Sequence, residues 1–211
     1  MYDLKDDRWI KNLEQIRPNK KKVILTFDDG PSRQLPFILN VLQEKEAPAV
    51  FFWQSKLLYK QRPWNRVIQE GHQIQSHAHN HKLLKALTKK QQYKQIKNSV
   101  DHIEKITGTK VSFFRPPFGQ YNETTMQILE EMNLIPVMWE ISSFDWQYKM
   151  NPEMIIYNVV EHMKDGSIIL LHELEQTRFV LPRLIDEIRN KGFEFSLLSK
   201  TKESDPDLHL K

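Results

Sequence analysis

The densest chemistry in this sequence lies in three histidines and two aspartates. His77, His79 and His81 fall within the string QSHAHNH, and Asp28 and Asp29 stand side by side in KKVILTFDDGPS. The chain has no cysteine, which excludes disulfides, Cys nucleophiles and thiolate metal sites. If the chain leaves a strand at His77 and begins a helix, His77 and His81 share a side and His79 faces elsewhere. Two imidazoles and one carboxylate, with a position left open for water, form a catalytic zinc arrangement. A divalent cation would neutralise one of the two aspartates. The other would then be placed to take a proton from water. Asp-Asp-Gly-Pro also reads as turn chemistry, but that accounts for one aspartate and not for two after an apolar strand.

Further candidates follow along the chain. In FFRPPFGQYN, Arg115 ends an apolar run and could hold Asp28 ionised and oriented. The stiff Pro116-Pro117 pair would fix the backbone N–H of Phe118, a candidate oxyanion donor. In SSFDWQY, Asp145 stands beside Trp146; in IILLHE, His172 ends a strand-like run. With Asp145 as partner, His172 is a candidate general acid at the same mouth.

Such a site needs elements that deliver several side chains to one place. Residues 22–28, 48–53, 72–77, 111–115, 135–141, 167–172 and 193–198 read as strands. Residues 34–46, 63–70, 88–107, 122–133, 152–164 and 178–190 read as helices, with Thr88 opening the third, Asn122 capping the fourth and Asn151 the fifth. Strict alternation predicts a parallel sheet with crossover helices. Asp28, Asp29, His77, Arg115, Asp145 and His172 all sit at or just after strand ends. An open sheet would hold the outer strands too far apart, so a closed βα barrel is favoured.

The bulk numbers agree with one domain. The chain has 211 residues, 39% hydrophobic and 27% charged, with a formal charge of +4 and an isoelectric point near 9.1. Residues 1–20 read as an N-terminal lead-in, 21–199 as the domain and 200–211 as a disordered tail. Lys20–Lys22 and Lys89–Lys90 lack interleaved aromatics, so no nucleic-acid partner is expected. Weak attraction to an anionic polymer is compatible with the charge. No apolar run reaches membrane-spanning length, and no signal-peptide core is visible. The sequence as it stands reads as cytoplasmic, or as cell-wall or extracellular if its N-terminus is trimmed. A monomer is expected.

The set Thr26-Phe27-Asp28-Asp29-Gly30-Pro31, His77…His81, Arg115-Pro116-Pro117-Phe118-Gly119, Asp145-Trp146 and Leu170-Leu171-His172 resembles the polysaccharide deacetylase family, the NodB-homology domain of carbohydrate esterase family 4. The resemblance implies an α/β fold, a single-domain distorted (β/α)7 barrel. It implies metal-dependent removal of N-acetyl groups from N-acetylglucosamine-containing glycan, of peptidoglycan or chitin type, with release of acetate. By the same resemblance Asp28 is the base, Asp29, His77 and His81 are the metal ligands, and Arg115 orients the base. Phe118 supplies the oxyanion N–H, Asp145 tunes the acid His172, and Trp146 and Leu170 wall the substrate pocket. Zinc is the default ion, with cobalt, nickel or iron as alternatives. Three positions depart from the family pattern: Ala78 for Thr or Ser, Ser142 for Asp, and Glu173 for Asp. His72, His79, His102, His162 and His209 match no motif and read as structural. Two other readings stand beside this one: an amidohydrolase for a small non-sugar amide, and a non-catalytic glycan-binding relic.

Overall fold

The computed structural model describes residues 5–12 and 21–199. The expected tail at 200–211, His209 within it, and the 13–20 part of the lead-in lie outside the described residues. The strands are β1 (Lys22–Gly30), β2 (Ala49–Trp53), β3 (Gln73–Ser76), β4 (Phe113–Phe114), β5 (Ile135–Pro136), β6 (Ile141–Ser142), β7 (Ile168–His172) and β8 (Glu194–Phe195). Between them run the helices α1 (Leu35–Glu44), α2 (Trp64–Gln69), α3 (Lys89–Thr107), α4 (Glu123–Glu131), α5 (Glu153–Val160) and α6 (Glu175–Asn190).

β1 is the hub because it is apolar on both faces. Val23, Ile24, Leu25 and Phe27 are all buried, as expected for a central parallel strand. The sheet order is β5-β4-β3-β2-β1-β7-β6, with β8 beside the start of β1. Every one of these pairings is parallel. The sheet curls into a distorted α/β barrel, so the carboxyl ends of the strands gather at one mouth.

The helices pack by ordinary amphipathic spacing. α1 buries Leu35, Ile38, Leu39 and Leu42, an i, i+3, i+4, i+7 stripe in which each side chain contributes roughly 1.5–3 kcal/mol of burial. Thr88 and Gln91 form a reciprocal capping box at the start of α3, and Gly108 closes that helix at φ 69°. Asn122 and Thr125 repeat the device on α4. Asn151 is not the cap of α5: Pro152 occupies that position, and no side chain caps the helix.

The sheet path has two ends, β5 and β6, and the lead-in lies across the seam between them. Ile10 N–H donates to the Pro136 carbonyl at 3.0 Å, and Met138 N–H donates to the Ile10 carbonyl at 2.9 Å. Asn12 forms an antiparallel bridge with Ser167. Trp9 is only 1% exposed and packs on Tyr121 with ring centroids 4.4 Å apart. The expected strand at 135–141 is therefore two short strands. Ile135 and Val137 donate to Ser112 and Phe114 at β4, Val137 also bridges to Ile10 of the lead-in, and from Glu140 the chain donates to the start of β7 instead. No helix among the described residues is long and apolar enough to cross a membrane.

Candidate active site

The two aspartates share the mouth because β1 is irregular there. In a regular strand, neighbouring side chains point to opposite faces. Here Asp28 lies opposite Phe52 and Gly30 opposite Trp53, which leaves Asp29 bulged out of register. Asp29 has φ 68°, the left-handed geometry that such a bulge uses. Asp28 stays buried and Asp29 opens toward the mouth.

The histidine pair is assembled by a turn, not by the helix start expected from its spacing. Residues 78–80 form a turn, with Ala78 at φ 64° and His81 at φ 50°. The result still brings the His77 and His81 rings together, centroids 5.0 Å apart. His77 sits just past β3, and its N–H donates to the Trp53 carbonyl. Its Nδ1 lies 2.8 Å from the Arg115 carbonyl. A carbonyl can only accept, so Nδ1 carries the proton and Nε2 offers its lone pair to the site.

Asp29, His77 and His81 form a cluster whose ligand atoms lie within 4.8 Å of one another. Asp29 Oδ1 is 3.1 Å from His81 Nε2 and 3.7 Å from His77 Nε2. The Gln54 amide also donates to Asp29 Oδ1 at 2.9 Å. Burial pushes the Asp29 carboxyl up, but His77, His81, His172 and Gln54 together hold it below the ordinary carboxylate value. Burial, helped by His77, holds His81 below the usual imidazole value. A carboxylate with two neutral imidazoles is the donor set a borderline divalent cation prefers.

Two acid–base units flank this cluster. Asp28 Oδ1 accepts from Arg115 Nη1 at 2.7 Å, with both side chains buried. The same Nη1 donates to Thr26 Oγ1, and Nη2 donates to the Met138 carbonyl. The guanidinium also lies over the Phe52 ring at 4.2 Å, so its position is fixed on several sides. Asp28 Oδ2 is 3.8 Å from His77 Nε2. On the other side, His172 Nδ1 is 2.7 Å from Asp145 Oδ1. Asp145 Oδ2 accepts from the His172 N–H and from Thr177 Oγ1, both at 2.6 Å. Burial would push the His172 imidazole down, but the Asp145 carboxylate overrides it and holds the ring above its usual value. His172 Nε2 then faces the cluster, 3.9 Å from Asp29 Oδ2.

The groups surround a cavity of about 550 Å³ lined by Asp28, Asp29, His77, His81, Phe118, Trp139, Trp146, Leu170 and His172, and also by Ser32, Glu173 and Leu174. Phe118 sits on a turn after the two prolines at φ 61°, with its ring against His81. The Trp146 ring stands edge-on to His172 at 5.2 Å. Every site residue expected from the sequence thus borders the cavity or holds a residue that does. The structure adds Gln54 and Thr177 to the site and gives Thr26, present in the motif without a role, a place as partner of Arg115. Thr26 had a legible signal: a hydroxyl two residues before Asp28 points to the same face of a strand that is otherwise apolar.

Of the departures, Glu173 is the best explained. It is buried, accepts from Trp53 Nε1 at 2.7 Å and from the Ser32 N–H at 2.6 Å, and burial raises its carboxyl above the usual value. Ser142 Oγ is buried without a hydrogen-bond partner. The histidines outside the motifs have local partners: His72 accepts from the Ala49 N–H, His79 meets Ser55, and His102 and His162 meet backbone carbonyls.

Comparison with known proteins agrees with this geometry. The sequence profile described as "Polysaccharide deacetylase" matches residues 15–137. The peptidoglycan-N-acetylmuramic acid deacetylase PdaC of Bacillus subtilis is 31% identical over 193 residues, which are 90% of this chain and 40% of that protein. The chain thus spans well under half the length of that relative. A peptidoglycan-N-acetylglucosamine deacetylase of Bacillus cereus is 30% identical over 187 residues, 85% of this chain and 68% of the relative. Among solved structures, a carbohydrate esterase family 4 pseudoenzyme from Bacillus anthracis superposes with a TM-score of 0.79 at 25% identity, covering 85% of this chain and 64% of that one. Fold, site and matched profile agree, and the chain belongs to the polysaccharide deacetylase family.

Proposed function

We propose that this protein is a metal-dependent N-deacetylase that removes acetyl groups from N-acetylglucosamine-containing glycan and releases acetate. The observation that carries the reading is the presence of two separate hydrogen-bonded units, Arg115–Asp28 and Asp145–His172, on either side of one three-ligand cluster. A binding module has no need of both a base and an acid.

Asp29, His77 and His81 would hold the ion. When bound, a divalent cation supplies a water of lowered pKa and a Lewis acid for an amide carbonyl. Zinc suits the donor set, and cobalt, nickel and iron are compatible with it. Asp28 takes the proton of the attacking water, held in line by Arg115. The Phe118 N–H donates to the carbonyl oxygen as negative charge develops on it. His172, kept protonated by Asp145, gives its proton to the sugar nitrogen as the C–N bond breaks. The new C–O bond leaves acetate, and the amine stays on the glycan. Leu170, Trp139 and Trp146 exclude water around the acetyl group and offer aromatic surface to the sugar.

The deacetylase names of the two bacterial relatives support a wall-glycan substrate. The pseudoenzyme among the structural relatives favours a second reading, in which this chain binds glycan without turning it over. One experiment separates them: acetate release from N-acetylglucosamine oligomers, chitin-type polymer and peptidoglycan by chelated protein resupplied with zinc, cobalt, nickel or iron. We expect activity that is lost on chelation and restored by metal. No acetate from any substrate with any metal overturns the enzymatic reading.

A further inference from the structure

Arginines in this protein divide into two groups. Among the described residues, Arg8, Arg66, Arg115 and Arg183 each pair with a carboxylate. Arg33, Arg62, Arg178 and Arg189 pair with none; Arg189 lies apart, over Phe195 and against the Glu46 carbonyl, while the other three lie in or reach the short segment that follows β1. Arg33 is exposed within that segment. Arg62 Nη1 reaches to 3.5 Å from the Ser32 carbonyl. Arg178 Nη1 donates to Gln34 Oε1 at 3.3 Å, and its N–H donates to the Leu174 carbonyl. Ser32 lines the cavity, so Arg62 stands at its edge, with Arg33 and the Gln34-bound guanidinium of Arg178 next to it along the same segment.

Two of these guanidiniums are held in place before any ligand arrives. Arg62 lies over the Tyr59 ring at 4.8 Å. Arg178 is stacked between Phe37 at 4.5 Å and Phe179 at 4.7 Å. Stacking occupies the face of a guanidinium and leaves its N–H edge available, the edge that recognises a carboxylate or phosphate in bidentate fashion. The nearby carboxylate of Glu173 feels the charge of Arg62 but is held by other partners. Both its oxygens are engaged, by Trp53 and by the Ser32 N–H, and it makes no ion pair among the described residues. Glu175, one turn before Arg178, is the exposed acid on this side, so positive charge prevails.

We propose that Arg33, Arg62 and Arg178 form an oxyanion subsite at the rim of the cavity, which selects glycans carrying a carboxylate or phosphate substituent next to the sugar being deacetylated. This rests on the deacetylase reading and deepens it: the neutral sugar goes to the cavity and an anionic substituent to the arginines. Fixed cations favour affinity and encounter over turnover.

The test compares kcat/KM on a neutral N-acetylglucosamine oligomer with that on matched oligomers bearing a lactyl carboxylate or a phosphate. Wild type, Arg62→Gln, Arg178→Gln, the double variant and Arg178→Lys are assayed, each checked for an unchanged unfolding midpoint. The charged-to-neutral ratio should fall about ten-fold in the double variant, the scale of a lost charge-assisted contact. The fall should lie in KM, the wild-type preference should shrink with added salt, and Arg178→Lys should recover part of it. The carboxylate and phosphate arms identify which oxyanion is read. A ratio unchanged in both arms overturns the proposal. Calorimetric titration of the same charged oligomers into wild type and each single variant needs no turnover. If wild type releases no acetate at all, the deacetylase reading falls, and this titration still decides the subsite: weaker binding by the variants supports it, and equal binding refutes it.

Discussion

Asp28 and Asp29 are chain neighbours that answer to different partners: Asp28 to Arg115 at 2.7 Å, Asp29 to His81 at 3.1 Å. The bulge at Asp29 makes this division, and it sets different outcomes for two nearly identical substitutions. Asp29→Asn removes the anionic member of the cluster and is expected to lower metal content after dialysis. Asp28→Asn should retain metal and lose turnover by roughly 10²–10⁴, the usual scale of general base catalysis. Metal analysis beside acetate-release assays checks both; equal metal loss in the two variants would refute the division of labour.

The Asp145–His172 pair makes a pH prediction. The imidazole is held above its usual value by Asp145 against the opposing effect of burial, so the protonated acid persists above a pH of about 6.5. The alkaline limb of kcat/KM should therefore lie above that value. In Asp145→Asn burial is opposed only by the smaller effects of Asp28 and Asp29, and the limb should move down while activity near neutrality falls. A pH–rate profile at saturating metal measures it. An unmoved limb means that Asp145 is structural.

Gly30 is constrained by its neighbours. A Cβ there would overlap the Glu173 carboxylate and come within 2.6 Å of Trp53 Nε1. Gly30→Ala is expected to cost about 1–3 kcal/mol, the range for overpacking a buried site. Because the closest clash is with Glu173, Gly30→Ala combined with Glu173→Asp should cost less than the sum of the two changes. Chemical denaturation of the four proteins reads the coupling, and strict additivity would show that the strain lies elsewhere.

His72 should make stability fall in mild acid. Its Nδ1 accepts from the Ala49 N–H at 3.2 Å, and burial holds the ring down to about 4. The unfolded chain takes up that proton near pH 6.5, and the folded one only near 4. The stabilisation is therefore complete above 6.5 and is lost as pH falls toward 4. Between pH 7.5 and 5 this amounts to about 2 kcal/mol. Urea unfolding at both pH values should show a smaller drop for His72→Gln than for wild type; equal drops would remove His72 as the cause.

The sequence revealed most where chemistry and spacing coincide. Asp28, Arg115 and His172 stand at the ends of apolar runs and His77 at the end of a more polar strand, and parallel alternation brings those ends to one mouth. It was silent where backbone geometry does the work. Nothing in Phe27-Asp28-Asp29-Gly30 announces a bulge, because Asp tolerates both extended and left-handed backbone. The turn that joins His77 to His81 was mistaken for a helix start because both place the rings on one side. The run Ile135–Ile141 reads as one strand; its break comes where the chain changes partner from β4 to β7. Gln54 and Thr177 hold Asp29 and Asp145 from elements whose placement only the fold supplies.

The lead-in that lies across the seam has a consequence for the order of folding. Ile10 and Asn12 pair with Val137 and Ser167, so their contacts close very long loops of chain. Loop closure of that length is unfavourable until its partners exist. This segment is made before its partners and is thus among the last parts of the domain to find its place. Trp9→Ala should cost about 3–5 kcal/mol, as for other buried large side chains. If docking follows the main barrier, the loss should appear as faster unfolding with a nearly unchanged folding rate. Stopped-flow kinetics of wild type and Trp9→Ala measures the split, and a slowed folding limb would place the seam in the nucleus. The same order implies a half-made barrel whose β5 edge stays open to pairing until the N-terminal segment returns to cover it.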